Sequence, residues 1–125
     1  CAGLSIGWTG LPQLGTGGFR VSMAGGPSAA AAFLVIGISD AWWGLQPLPL
    51  DLSPYGAPGC WVLAAVDHVI ATLTDATGAT GLPIAIPQWS DLIYGHAYVQ
   101  WAVLDPSANP AGLSFSDALD VEVQP

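Results

Sequence analysis

The chain has 125 residues and a formal net charge of −8, with Arg20 as its one full-time cation and no lysine. A polyanion-binding surface needs cations to displace counterions, so the composition argues against nucleic acid, and anionic membrane surfaces are disfavoured for the same reason. Apolar residues make up 52% and charged residues 8%, so stability must rest on packing and backbone hydrogen bonds, with Arg20 alone able to pair with the carboxylates.

The length is that of one domain, read as 1–125, able to bury about two thirds of its unfolded surface. The longest charge-free stretch, Val21 to Ser39, is broken by Gly25, Gly26, Pro27 and Ser28. Its apolar part falls short of the roughly 20 residues that a spanning helix needs, so no membrane span is expected. No basic start followed by an apolar segment opens the chain, which therefore reads as mature or trimmed.

In chain order, LSIGW from Leu4 to Trp8 predicts a short strand, and the glycine-rich Gly10 to Gly18 a connection. Phe19, Val21 and Met23 alternate with Arg20, Ser22 and Ala24, the period of a half-buried strand with Arg20 on the wet face. Gly25 to Ser28 is a turn signal. AAAFLVIGIS, residues 30–39, is a continuous apolar run with β-branched residues and predicts a central strand covered on both faces. Asp40 to Gly44 then reads as a loop with adjacent indoles, Trp42 and Trp43, of which an extended backbone can turn at most one inward.

LQPLPLDLSPYGAPGCW, residues 45–61, carries prolines at 47, 49, 54 and 58. Proline lacks a backbone donor, so this segment predicts an edge strand or an extended strap, with Leu48, Leu50 and Leu52 on one face. Trp61 to Ala65 and then Val66 to Thr74 predict strand structure, in the second of which His68, Ile70 and Thr72 oppose Val69, Ala71 and Leu73. Asp75-Ala76-Thr77-Gly78 reads as a hairpin turn. Leu82, Ile84 and Ile86 predict a further strand, which the flanking Pro83 and Pro87 assign to an edge. Gln88 to Gly95 predicts one helical turn capped by Ser90, Ala97 to Leu104 a strong strand, Asn109 to Gly112 a loop, and Leu119 to Val123 a final strand. About eight short strands separated by turn signals predict an all-β, single β-sandwich, jelly-roll or immunoglobulin-like.

Two cysteines, Cys1 and Cys60, without metal-like spacing favour a disulfide in an oxidising compartment, which would stabilise by roughly 4 kcal/mol on a chain-entropy argument. An acylated Cys1 and an intermolecular bridge remain open beside it.

Three segments, LPLDLSPYGAPGC at 48–60, AFLVIGISDAWWG at 32–44 and YVQWAVLDPSANPAGLSFSDALDVEV at 98–123, carry a resemblance. Together they resemble a module found at the C-terminal end of secreted and surface proteins of planctomycetes and myxobacteria. In that family an apolar strand with G-x-S is followed by P-L-P-x-D-L and G-A-P-G-C, then by Y-x-Q-W-x-V-x-D-P and a terminal strand. The resemblance covers nearly the whole chain. It implies a disulfide-bearing β-sandwich accessory module, extracellular or at the cell surface, in which an upstream family cysteine matches Cys1, and it implies no catalytic residues.

The nine acidic residues are scattered singly, mostly at strand ends and turns where Asp satisfies backbone groups, so no carboxylate pair of a glycosidase is indicated. Asp67-His68 supplies two members of a triad, but no G-x-S-x-G elbow presents a serine. Residues 75–78 lack the D-x-D ladder of a calcium loop, so no cofactor is expected and calcium is a minor possibility. Among six tryptophans, Trp8, Trp61 and Trp101 fall on strands and are expected in the core, whereas Trp42, Trp43 and Trp89, with Tyr55, fall in loops. These four are the candidates for a contact surface. Loop aromatics without nearby polar clusters suit a dry protein interface, and flat indole faces also suit sugars.

The sequence therefore reads as a non-catalytic extracellular structural protein, not an enzyme. Its expected partners are copies of itself, in a surface fibre or layer, or other surface proteins. The alternative is a glycan-binding or adhesion accessory module that meets polysaccharide through its loop aromatics.

Overall fold

The computed structural model describes residues 1, 3–15, 18–86 and 89–125. Its strands are β1 (Ser5–Thr9), β2 (Phe19–Ala24), β3 (Ala31–Gly37), β4 (Trp42–Trp43), β5 (Gln46–Pro47), β6 (Leu50–Asp51), β7 (Trp61–Val62), β8 (His68–Leu73), β9 (Thr80–Ile84), β10 (His96–Leu104) and β11 (Leu113–Glu122). A three-stranded sheet, β1-β2-β9, faces a four-stranded sheet, β11-β10-β3-β8, and every pairing within them is antiparallel. The fold is an all-β sandwich, as the turn-punctuated pattern predicts.

The core follows from period-2 alternation. Phe19, Val21 and Met23 of β2 meet Ala32 and Leu34 of β3 and Val99, Trp101 and Val103 of β10. Burying side chains of this size stabilises by roughly 1.5–3 kcal/mol each. The Trp101 indole also donates from Nε1 to the Ser22 carbonyl at 3.1 Å, a hydrogen bond from one sheet to the other. Arg20 points outward from β2 and donates to the Gly81 carbonyl.

The structure corrects several expectations. The turn at Asp75 does not close a hairpin, because β8 belongs to the four-stranded sheet and β9 to the three-stranded one. It is an arch between the sheets, built as predicted from Asp75 Oδ1, which accepts from Thr77 and Ala79 N–H, and from Gly78 at φ 80°. The last strand begins at Leu113, earlier than the apolar alternation shows, because Ser114 and Ser116 take buried positions there. Ser116 Oγ accepts the Trp101 N–H at the irregularity between Gln100 and Ala102. Ser90 starts a single 3-10 turn, Ser90–Leu92, but its side chain makes no capping bond. Gln88 and Pro87, part of the expected turn and edge, lie outside the described residues.

The 45–61 segment is not an edge strand of the sandwich. After β3 the chain leaves the sheet, forms the small β4-β5 ladder, pairs β6 with β7, and returns to β8. This strap lies on the outer face of the four-stranded sheet, the face opposite the core. Gly37 shows how close it lies, since a Cβ there would collide with the Ala65 carbonyl. Gln100, 1% exposed, commits its whole amide to the contact. Its Nε2 donates to the carbonyls of Trp61 (2.8 Å) and Ser116 (2.9 Å), and its Oε1 accepts the Leu63 N–H (3.0 Å).

The Cys1–Cys60 disulfide fixes the far end of the strap, with Cα atoms 4.7 Å apart. The intramolecular pairing is thus the one realised. Ala57, Cys60, Val62 and Ala64 are buried.

Candidate functional site

Three features of the surface are built by these elements: an aromatic concavity on the strap, an open strand edge, and an ion-paired histidine. In the β4-β5 ladder, Trp43 pairs with Gln46 and Trp42 with Pro47, which lifts both indoles off the sandwich. Both are exposed, so neither is core. Past β6, the Ser53–Tyr55 3-10 turn docks on the β10-β11 connection through the Ala111 N–H, which donates to the Gly56 carbonyl at 3.0 Å. The result brings Trp43 and Tyr55 to one shallow concavity of about 640 Å³, together with Leu45, Gln46, Leu50 and Leu52. Leu45, 97% exposed, stands at its rim.

No ionisable carboxylate or cation lines that concavity among the described residues. Asp51 lies nearby, but its Oδ1 accepts from the Ser53 N–H and hydroxyl, and these bonds hold its pKa below the usual carboxylate value. Gln46 donates to the Pro47 carbonyl at 3.0 Å. The surface can stack on a flat apolar face and offers few directed polar contacts.

Of the four candidate aromatics, then, Trp43 and Tyr55 share the concavity, Trp42 is exposed on the same ladder, and Trp89 is exposed on the β9-β10 connection. The expected core indoles divide differently. Trp101 is fully buried, but Trp8 is 59% and Trp61 44% exposed: Trp8 lies opposite Val21 on the inward face of the edge strand β1, where the second sheet does not cover it, and Trp61 points away from the buried Val62 beside it. Trp8 borders an apolar cavity of about 320 Å³ with Leu11, Phe19 and Leu119, at the side of the sandwich where β1 runs beside β11.

The open edge is β8. Ile70 packs against the core, while Val69, Ala71 and Leu73 project from the outer face and are exposed, Leu73 at 66%. Ala71 stands in one cross-strand row with Phe33, Ala102 and Phe115, so the exposed stripe continues an apolar sheet face. Sequence reasoning found the alternation but not its significance, because edge position depends on which strands pair.

On β10, His96 Nδ1 lies 2.5 Å from Asp120 Oδ1, and its Nε2 lies 3.9 Å from Glu122 Oε2. The hydrogen bond to Asp120 leads the effects that raise the His96 pKa, which favours the charged ring. Asp67 does not orient His68; its Oδ2 accepts the Ile38 N–H at 2.9 Å. Asp75 commits Oδ1 to its own turn, chiefly to the Thr77 hydroxyl, which lowers its pKa. Among the described residues no three His, Cys, Asp or Glu side chains form a metal-binding group, and no helix is long and apolar enough to cross a membrane.

Comparison of the chain with protein-family models, curated proteins and solved structures finds no match.

Proposed function

We propose that this chain is a non-catalytic extracellular structural protein, a β-sandwich subunit that self-associates at the cell surface in a fibre or layer. The observation that carries the self-association in this reading is the β8 edge. It is unpaired on one side in the sheet order, has no proline and no charged residue, and exposes Val69, Ala71 and Leu73. Natural edges are usually blunted by charge, proline or cover, and an edge with none of these pairs readily with another chain. The disulfide supports an oxidising, extracellular setting. Sedimentation velocity over a rising concentration series tests the reading. Species larger than the monomer are expected, and a single monomeric boundary at the highest concentration overturns it.

A second reading, glycan binding or adhesion as an accessory module, is favoured by the meeting of Trp43 and Tyr55 in one uncharged concavity. Aromatic faces stack on the apolar faces of sugars, and the lack of cations directs the site toward neutral polysaccharide. Titration of intrinsic fluorescence with neutral glucans is expected to shift emission in the native protein and not in Trp43→Ala. An identical response in both would remove this reading.

A further inference from the structure

We propose that β8 pairs with β8 of a second copy, antiparallel and about a two-fold axis centred on Ala71, so that the two four-stranded sheets run on as one. This rests on the self-association reading and gives it a strand, a register and a symmetry.

The other edges of the two sheets differ from β8. β9 contains Pro83, which has no N–H to give. β11 carries Asp117, Asp120 and Glu122, and just beyond it Gln124 is bridged by Gln13. β1 runs beside β11 at the same flank. β8 alone among these edges combines an apolar outward stripe with the absence of both proline and charge, and it makes its ladder with β3 on one side only.

Charge restricts where two copies can meet. Two copies of a chain with net charge −8 repel, and their least costly approach is through a surface free of carboxylates. The His68–Leu73 strand is such a surface, on both partners at once.

Geometry then fixes the symmetry. Residues directly opposite in an antiparallel pair share a face, so a two-fold axis normal to the sheet keeps the outer stripe continuous. Centring on Ala71 sets Val69 against Leu73 of the second copy and Ile70 against its Thr72, with the small Ala71 pair between. Centring on Ile70 would instead bring Asp67 against Leu73. In the Ala71 register Asp67 faces Asp75 just past the strand ends. Both carboxylates are turned to their own backbone, Asp67 to the Ile38 N–H and Asp75 to those of Thr77 and Ala79. Their residual repulsion makes the contact stronger as ionic strength rises. A contact of this kind closes on itself, so β8 yields a dimer, and a fibre or layer is then built from dimers through a different surface.

Sedimentation velocity and disulfide trapping of the full chain test the proposal. Leu73→Lys, at an exposed position that should leave the fold intact, is expected to weaken dimerisation at least about tenfold. Opposed residues in a ladder lie within disulfide reach. Ala71→Cys under mild oxidation is therefore expected to give a covalent dimer in which peptide mass mapping finds the two introduced thiols joined to each other, and Leu73→Cys is not expected to link to itself. If the native chain assembles and Leu73→Lys assembles equally well, the contact lies elsewhere and this inference fails while self-association stands. If Leu73→Cys self-links as readily as Ala71→Cys, the register fails. If the native chain stays monomeric throughout, both readings fail together.

Discussion

The four-stranded sheet has two edges that solve the same problem in opposite ways. β11 spreads Asp117, Asp120 and Glu122 along ten residues. β8, six residues long, presents Val69, Ala71 and Leu73 and no charge. Both belong to the same sheet and rest on the same core, so the difference lies in the strands' own side chains. The contrast teaches that pairing competence here is written on individual strands, and that a chain with so few charges concentrates its protection on selected edges.

The comparison presumes a common core, and the largest expected effect removes it. Trp101→Ala deletes the fully buried indole and its bond to Ser22, and should cost about 3–5 kcal/mol, read as a lowered urea midpoint. Both edges would then be lost together. Gln100→Ala should act more locally. It leaves the carbonyls of Trp61 and Ser116 and the Leu63 N–H without their partner, at a cost of about 1–3 kcal/mol for each group that stays buried and unpaired. Faster limited proteolysis within residues 41–59, beside a retained sandwich signal in circular dichroism, is the expected outcome.

The contrast sharpens if β11 is made to resemble β8. The double change Asp117→Thr and Glu122→Thr removes two of its three carboxylates and should add a new, weaker association detectable by sedimentation at high concentration. The smallest effect concerns His96. Its pKa is raised above the usual 6.5, first by the hydrogen bond to Asp120, so its folded-state contribution is present in full below 6.5 and is lost as pH rises through the higher folded value. Thermal midpoints of the native chain and Asp120→Asn should therefore differ most below pH 6.5, while the carboxylates are still ionised, and converge at alkaline pH. An NMR titration of the His96 ring in Asp120→Asn should show the lowered value directly.

β2, with its clean alternation, and β3 and β10, rich in apolar and β-branched residues, were legible from sequence because the physics that places them is local. Asp75 and Gly78 announced their turn for the same reason, though not that it joins two sheets. The prolines of 45–61 told of an extended segment without ladder donors, but not that it would lie across an outer sheet face, which depends on Gly37, Gln100 and Ala65 meeting across long sequence separations. Trp61 misled because strand placement gives two faces and the sequence does not mark which is inward, and Trp8 because an inward face can still run out past the cover of the opposite sheet. The first half of β11 was hidden because serines stand at its buried positions. Trp43 and Tyr55 were identifiable as loop aromatics, while their shared concavity required the strap to fold back.

The anchoring of the strap has a consequence for how the chain can change. Its attachments include the Gln100 amide, the disulfide, the Ala111–Gly56 hydrogen bond and the Ala65 N–H to the Ser39 carbonyl, and none of residues 42–55 belongs to the inter-sheet core. Those positions are therefore free to drift in sequence while the scaffold stays constant, much as a tool head is exchanged on a fixed handle. Variation in what the molecule touches can accumulate there without a toll on folding.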